Sequence, residues 1–178
     1  VEYLAPEARV VLIGAGHVAQ AVAPVAAGVG FRLVVVDDRE ELLEHPAFAA
    51  SERLARDVDE LDVALPDLSD ADYLLVMTRD HARDEQALAH LLRRPHRYLG
   101  MIGSVRKVHA IIARVLRREQ ELGRPTPDFA RVRAPVGLSL GGRTPAEIAV
   151  SVVAELIAER QGGSGAPMNA VPQALARA

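Results

Sequence analysis

The strongest constraint on the fold of this chain is a glycine turn that directly follows a short apolar strand. Residues 9–13 form a β-branched apolar run, and Gly14-Ala15-Gly16 comes immediately after it. An Ala-rich segment of helical length follows at residues 17–27, and a second apolar run occupies residues 31–36. Apolar runs and helical spacing of these lengths are typical of buried strands and packed helices. The first forty residues are therefore predicted to form a strand, a tight turn, a helix and a second strand.

The alternation of strand and helix continues in the rest of the chain. Apolar runs at residues 73–77 and 98–102 are each followed by a segment with helical apolar spacing. Weaker patterns predict a short helix at residues 40–44 and a strand near residues 53–58. Residues 123–135 are expected to form a proline-broken connection. A last helix is predicted to start at Thr144-Pro145-Ala146-Glu147, where the threonine and the glutamate can form a capping box.

Strands that alternate with helices predict a parallel sheet with right-handed crossovers. We therefore expect an α/β fold with a Rossmann-like doubly wound parallel sheet, in three αβα layers. The chain of 178 residues has the usual size of one domain. Aromatic residues make up only 3% of it, so small and branched side chains must pack the helices onto the sheet. The loops that follow the strands then share one edge, where such sheets bind ligands.

Composition argues against several classes of function. The formal net charge of −3 gives no broad basic surface for nucleic acid. The chain has no cysteine, which excludes disulfides, thiolate metal ligands and cysteine nucleophiles within it. There is no signal-type start and no apolar run long enough to cross a membrane. We therefore expect a soluble cytoplasmic protein with neither a nucleic-acid nor a membrane partner.

The glycine turn is the first candidate site. Residues 14–19 fit the G-x-G-x-x-G/A pattern, in which glycines let backbone N–H groups approach a diphosphate at a helix N-terminus. Asp37 follows the second apolar run, where a carboxylate can accept ribose hydroxyls. His17, at the start of the helix, can donate to a phosphate or simply pack there. The pattern predicts a nucleotide-like ligand, and the alternative is that the glycines only allow close packing of strand and helix.

A polar cluster follows the apolar run at residues 73–77. A hydroxyl, a cation, an imidazole and a carboxylate stand close together in the sequence: Thr78, Arg79, His81 and Asp84. Because His81 and Asp84 are three residues apart, they lie on one face of a helical turn and can form a pair or contact an anion. A single histidine disfavours a metal site, and we expect none. The alternative is that Asp80 caps the next helix and Arg79 pairs locally.

A third group of polar residues follows the apolar run at residues 98–102. Gly103 and Ser104 precede a predicted helix, and Ser104 can cap its first turn. Arg106 and Lys107 add two cations that can face an anionic ligand. Lys107 can equally lie on an ordinary helix surface.

Taken together, these motifs resemble the C-terminal Rossmann domain of the XdhC/CoxI family, the accessory proteins of molybdenum hydroxylases such as xanthine dehydrogenase. The resemblance extends over about residues 10–161 and rests on five ordered motifs. They are Gly14-Ala15-Gly16-His17-Val18-Ala19, Val36-Asp37-Asp38-Arg39, Met77-Thr78-Arg79-Asp80-His81 with Asp84, Tyr98-Leu99-Gly100-Met101-Ile102-Gly103-Ser104, and Pro135-Val136-Gly137-Leu138 through Thr144-Pro145-Ala146-Glu147-Ile148-Ala149-Val150-Ser151.

The resemblance implies that the chain binds the molybdenum cofactor, as molybdopterin or its dinucleotide. It also implies protection of that cofactor during sulfuration and delivery to an apo-hydroxylase, without enzymatic turnover by this chain. Because the chain lacks cysteine, sulfur handling would fall to another domain, another subunit or a cysteine desulfurase. Arg79 stands where the family usually has a second imidazole or a small residue. The candidate cofactor-binding residues are Gly14, Gly16, His17, Val18, Asp37, Arg39, Thr78, Arg79, His81, Asp84, Gly103, Ser104 and Lys107, and no catalytic residue is identified.

The resemblance also divides the chain. Residues 1–8 are expected to be the remnant of a linker, residues 9–161 the Rossmann domain, and residues 162–178 a disordered tail. The apolar face of the last long helix can pack on the sheet or on a second copy, which leaves a homodimer open. Two other functions also stay open. The glycine turn with Asp37 is typical of an NAD(P)-dependent oxidoreductase, and the fold alone is compatible with a nucleotide-binding regulatory module.

Overall fold

The structure is a computed structural model that describes residues 8–177, with a six-stranded sheet at their centre. The strands are β1 (Arg9–Ile13), β2 (Arg32–Asp37), β3 (Ser51–Ala55), β4 (Tyr73–Val76), β5 (Tyr98–Met101) and β6 (Val132–Arg133). Neighbouring strands all pair in parallel, in the order β3-β2-β1-β4-β5-β6. This order is that of a doubly wound Rossmann sheet, which confirms the predicted fold class.

Helices cover both faces of this sheet. In the described part of the chain they are α1 (His17–Gly28), α2 (Glu40–Leu43), α3 (Leu61–Ala64), α4 (His81–Leu91), α5 (Val105–Glu121), α6 (Pro145–Gln161) and α7 (Val171–Leu175). The helices α1, α2 and α6 pack over Val10 and Leu12 of β1, whereas α3, α4 and α5 pack over Val11 and Ile13. Successive side chains of a strand point to opposite faces, so β1 is buried on both. A strand buried on both faces reads as a continuous apolar run.

The chain reverses its direction of winding between β1 and β4. In β1, Ile13 lies opposite Val36 of β2 on one side and opposite Val76 of β4 on the other. The loops after these three strands therefore leave the same edge of the sheet. In open α/β sheets, ligands bind in the crevice at such a reversal point.

Both edge strands differ from the prediction made from sequence. The expected strand near residues 53–58 lies earlier, at Ser51–Ala55, and Val58–Glu60 forms a 3₁₀ helix. As an edge strand, β3 is partly exposed along its length, so it lacks the apolar run that marks the central strands. The strand β6 lies inside the segment predicted as a connection, because two residues are too few to form a sequence pattern.

The start of α6 has the predicted capping box. Glu147 N–H donates to Thr144 Oγ at 3.2 Å, and Thr144 N–H donates to Glu147 Oε2 at 3.0 Å. The buried face of α6 packs against α1 and the sheet of the same chain. That apolar face is therefore used inside the chain, and a homodimer stays a prediction.

The limits of the predicted domain stay predictions too. Residues 1–7 of the expected linker lie outside the described residues. In the segment expected to be a tail, the structure has the short helix α7. None of the helices among the described residues combines the length and hydropathy that crossing a bilayer requires.

Candidate functional site

The glycine turn lies at the carboxyl edge of the sheet, between the ends of β2 and β4. Gly14 N–H donates to the carbonyl of Val36 at 2.8 Å, and Met77 N–H donates to the carbonyl of Ile13 at 2.9 Å. Gly14 has a φ of +115°, and a Cβ added to it would lie 2.3 Å from the carbonyl oxygen of Met77. Both the backbone conformation and the lack of space therefore require glycine at this position.

Gly16, the N-cap of α1, has a different environment from Gly14. Its φ is −73°, and an added Cβ would meet no heavy atom within 4 Å. His17 beside it is exposed and Val18 is partly exposed. The first turn of α1 contains no acidic residue, so the positive end of the helix dipole is not neutralised from within the helix. Open space at a helix N-terminus of this kind suits an anion.

Asp37, at the end of β2, lies under the glycine turn with its side chain only 4% exposed. Its Oδ2 accepts the N–H of Ala15 at 2.7 Å and Nη2 of Arg39 at 2.8 Å. Its Oδ1 accepts the backbone N–H and Nε of Arg39, both at 2.9 Å. Burial raises the pKa of Asp37, but the bonds from Arg39 and Ala15 outweigh it and hold the pKa below its ordinary value. Asp37 and Arg39 thus form an ion pair in which the carboxylate is buried and the guanidinium is partly exposed.

Asp38 forms the centre of a second ion-pair group at the same edge. Arg79 donates to it twice, Nη1 to Oδ1 at 2.6 Å and Nη2 to Oδ2 at 3.0 Å. Arg83 lies 3.6 Å from Asp38 and also pairs with Asp57. The hydrogen bonds from Arg79 lower the pKa of Asp38 to about 2, since they and the nearby positive charges outweigh its partial burial. Arg79 therefore connects the loop after β4 to the loop after β2.

The Thr78 loop rests on a buried carboxylate. Asp84 is fully buried, and its Oδ1 accepts the backbone N–H of Thr78 at 3.0 Å and the hydroxyl at 2.7 Å. The ammonium of Lys107, which is 15% exposed, forms an ion pair with Oδ2 of Asp84. The expected pairing of Asp84 with His81 is absent among the described residues, where His81 is exposed. Lys107 accordingly points inward to Asp84 and does not lie on ordinary helix surface, because the buried carboxylate needs a counter-charge.

The start of α5 supplies the third loop of the site. Ser104 caps this helix by accepting the N–H of Lys107 at 3.2 Å, as Asp80 caps α4 by accepting the N–H of Arg83 at 2.8 Å. Arg106 is exposed, like His81 and His17. Within residues 8–177, none of these three side chains has an ion pair or side-chain hydrogen bond, so all three are available to a ligand. The described residues contain no group of three or more His, Asp and Glu placed to hold a metal ion.

The loop between β6 and α6 is held in place by a hydrogen bond to Glu155. Oε2 of this residue accepts the hydroxyl of buried Tyr98 and, at 2.7 Å, the backbone N–H of Gly137. Burial and the hydrogen bond to Glu155 raise the pKa of Tyr98. A Cβ on Gly137 would lie 2.4 Å from Oγ of Ser151, so the loop approaches α6 closely. Glu155 thereby connects β5, this loop and α6.

Sequence reasoning missed several residues of this edge. From the sequence alone, Asp57, Arg83 and Glu155 receive no role, and Asp38 appears only as part of a motif. The Asp37-Asp38 doublet at a strand end, followed by Arg79 and Arg83 four residues apart, was the available signal. Glu155 had none, because its partners belong to distant parts of the chain.

The sequence of this chain is similar to one protein-family model and to curated proteins of two bacteria. The family model described as the XdhC Rossmann domain matches residues 10–156. The chain is 37% identical over 166 residues to the uncharacterized protein YqeB of Escherichia coli. It is 30% identical over 168 residues to a probable xanthine dehydrogenase subunit of Bacillus subtilis. These matches cover 90% of this chain but only 29% and 46% of the two curated relatives.

Solved structures show the same likeness. A crystal structure of a xanthine dehydrogenase from Bacillus halodurans superposes with a TM-score of 0.73 at 29% identity. That match covers 89% of this chain and 44% of the other. TcdA (CsdL) superposes with a TM-score of 0.51 at 10% identity, over 86% of each chain, which shows a shared fold alone.

Proposed function

The chain belongs to the XdhC Rossmann domain family, and we propose that it is the cofactor-holding domain of an accessory protein for a xanthine dehydrogenase-type molybdenum hydroxylase. The names of two relatives support this partner, since one is a probable xanthine dehydrogenase subunit, the other a xanthine dehydrogenase. This chain spans less than half of the length of each of these two relatives. An accessory activity that involves a full-length protein is therefore part of the proposal.

The proposed cargo is the molybdenum cofactor, as molybdopterin or its dinucleotide. The observation that carries this is the open N-terminus of α1 at Gly16, where an added Cβ would enter empty space. Backbone N–H groups at such an end suit the terminal phosphate of a pterin cofactor. The residues present therefore fit a phosphate-bearing ligand at the reversal point of the sheet.

Side chains around this position would complete the cradle. His17 and Arg106 are exposed, lack side-chain partners within residues 8–177, and can donate to phosphate or pterin oxygens. His81, at the start of α4, can do the same from the other side. The Asp84–Lys107 ion pair would hold the Thr78 loop in position beneath the ligand without touching it.

In this proposal the chain protects and delivers the cofactor without converting a substrate itself. No side chain of this chain carries a thiol, so a cysteine desulfurase would supply the sulfur during sulfuration. The apo-hydroxylase would then receive the completed cofactor. An NAD(P)-dependent oxidoreductase is the second candidate, favoured by the glycine turn at the reversal point of the sheet.

Calorimetric titration of the purified chain tests the choice of ligand. Molybdopterin should bind, and NAD(H) and NADP(H), titrated separately, should bind at least about tenfold more weakly. Tight binding of a nicotinamide dinucleotide without binding of molybdopterin would reverse the assignment. Transfer is tested by adding the loaded chain, with a cysteine desulfurase, to an apo-hydroxylase of the xanthine dehydrogenase type and measuring recovered hydroxylase activity.

A pair of matched variants tests the position of the ligand. Gly16→Val should weaken binding of molybdopterin by about tenfold or more, because the side chain fills the space of the phosphate. Gly28→Val is the control, since Gly28 lies at the other end of α1 and also has no heavy atom within 4 Å of an added Cβ. Equal affinity of the two folded variants would put the ligand elsewhere. Unchanged binding and transfer by His81→Ala would remove His81 from the cradle.

A further inference from the structure

The carboxylate of Asp37 has no acceptor position left for a ligand. An ionised carboxylate offers about four lone-pair positions. Two are taken on Oδ2, by the N–H of Ala15 and by Nη2 of Arg39. The other two are taken on Oδ1, by the backbone N–H and Nε of Arg39. Three of the four donors thus come from Arg39 alone.

This arrangement differs from that of enzymes that bind NAD on the same fold. There the acidic residue at the end of the second strand accepts a hydroxyl of the adenosine ribose. Here the guanidinium of Arg39 lies in bidentate contact with that acidic residue, Asp37. The backbone N–H of Ala15, in the glycine turn, donates to the same carboxylate and is therefore not available to a ligand.

The cleft around Asp37 offers a ribose no alternative position. The neighbouring carboxylate, Asp38, is itself held by Arg79 through two hydrogen bonds. The cleft lined by Asp37, Asp38, Arg39 and Arg79 has a cavity volume of only about 20 Å³. Ligand pockets usually enclose roughly 300–1,000 Å³. A nucleoside would therefore have to displace at least one of two charge-assisted, bidentate arginine pairs.

We propose that Arg39 is a specificity-determining residue, which closes the ribose position by occupying Asp37 and so excludes adenine dinucleotides from this site. The inference rests on the proposed function, which it narrows to ligands held through their phosphate end at Gly16. Asp37 then acts as a positioning residue that fixes the glycine turn through Ala15. Removal of the Arg39 guanidinium opens the ribose position while leaving the phosphate cradle intact.

The experiment is a calorimetric titration with ADP-ribose, which carries the diphosphate and the adenosine ribose but no nicotinamide. Arg39→Ala should bind ADP-ribose about tenfold or more tightly than the parent, since a hydrogen bond to a charged group has roughly that effect on affinity. The double variant D37N/R39A should lose most of this gain, because the carboxylate is the group that accepts the ribose. The control is Arg53→Ala, which removes an arginine of β3 paired with Glu44 and should leave ADP-ribose binding at the level of the parent.

Arg39→Lys is a second test variant that can be used if Arg39→Ala does not fold. The lysine keeps a positive charge beside Asp37 but cannot form the bidentate contact, so a smaller gain in ADP-ribose affinity is expected. Parent protein that binds ADP-ribose as tightly as both Arg39 variants would overturn the inference. Each protein is also titrated with molybdopterin. Failure of the parent to bind molybdopterin would sink the proposed function, whereas failure of the inference appears only in the ADP-ribose titrations.

Discussion

The buried carboxylate of Asp84 forms an ion pair with the ammonium of Lys107, and through it the start of α4 is tied to the start of α5. The other oxygen of the same carboxylate holds both the backbone N–H and the hydroxyl of Thr78. Two of the three loops around the proposed phosphate position therefore depend on a single buried charge pair.

Lys107→Met should lower the free energy of unfolding by about 3 kcal/mol, because it leaves the fully buried Asp84 without a counter-charge. Urea unfolding measures the change. D84N/K107M should recover part of the loss, since the buried group is then neutral. Arg106→Met, which removes the exposed neighbouring cation, is the control, with an expected change within about 0.5 kcal/mol. Equal unfolding free energies for Lys107→Met and Arg106→Met would mean that the pair does not stabilise the fold.

Alanine substitutions at the two glycines of the turn should have very different effects. Gly14→Ala is expected to lower the free energy of unfolding by at least about 2 kcal/mol, because the new Cβ would lie 2.3 Å from the carbonyl oxygen of Met77 at a φ of +115°. Gly16→Ala meets nothing within 4 Å at an ordinary φ and should change stability by less than about 1 kcal/mol. Thermal unfolding of both variants checks this. Similar melting temperatures would contradict the described geometry of the turn.

Acid should weaken the contact between Asp38 and Arg79. The pKa of Asp38 is about 2 in the folded chain, against an ordinary value of 3.8. The pair therefore contributes fully above about pH 4, and its contribution is lost as the pH falls towards 2. Because both side chains are about one-third exposed, solvent screens the pair and its contribution to stability is small.

Asp38→Asn and Arg79→Gln should each remove this part of the acid dependence. Thermal unfolding between pH 5 and pH 2 measures it as the difference in melting temperature between parent and variant. That difference should shrink as the pH falls. A difference that stays constant over the whole range would argue against the ion pair as its source.

Glu155→Ala should cost about 2–3 kcal/mol of stability, since it leaves both the buried Tyr98 hydroxyl and the N–H of Gly137 without their acceptor. Tyr98→Phe removes only one of the two bonds and keeps Glu155 paired with Gly137. Its expected cost is about 1 kcal/mol. Urea unfolding of both variants gives the comparison. Equal costs would show that the bond to Gly137 contributes nothing measurable.

Features that depend on neighbours in the sequence were predicted well. The sequence has a continuous apolar run at each of the strands β1, β2, β4 and β5, because these central parallel strands are buried on both faces. The capping box joins Thr144 and Glu147 within one turn, so its pattern is visible in the sequence. The edge strands β3 and β6 gave weak or no signals, because one is partly exposed and the other has two residues.

The order of motifs along the sequence by itself determined the Rossmann fold, the family and the edge at which the candidate residues gather. Only the tertiary structure decided what each of these residues does there. Asp37 is bonded by Ala15 and Arg39, Lys107 turns inward to Asp84, and Arg79 reaches across to Asp38. The physical reason is that parallel strands bring distant loops together at one edge, where charged side chains pair by distance and burial and not by their separation in the sequence.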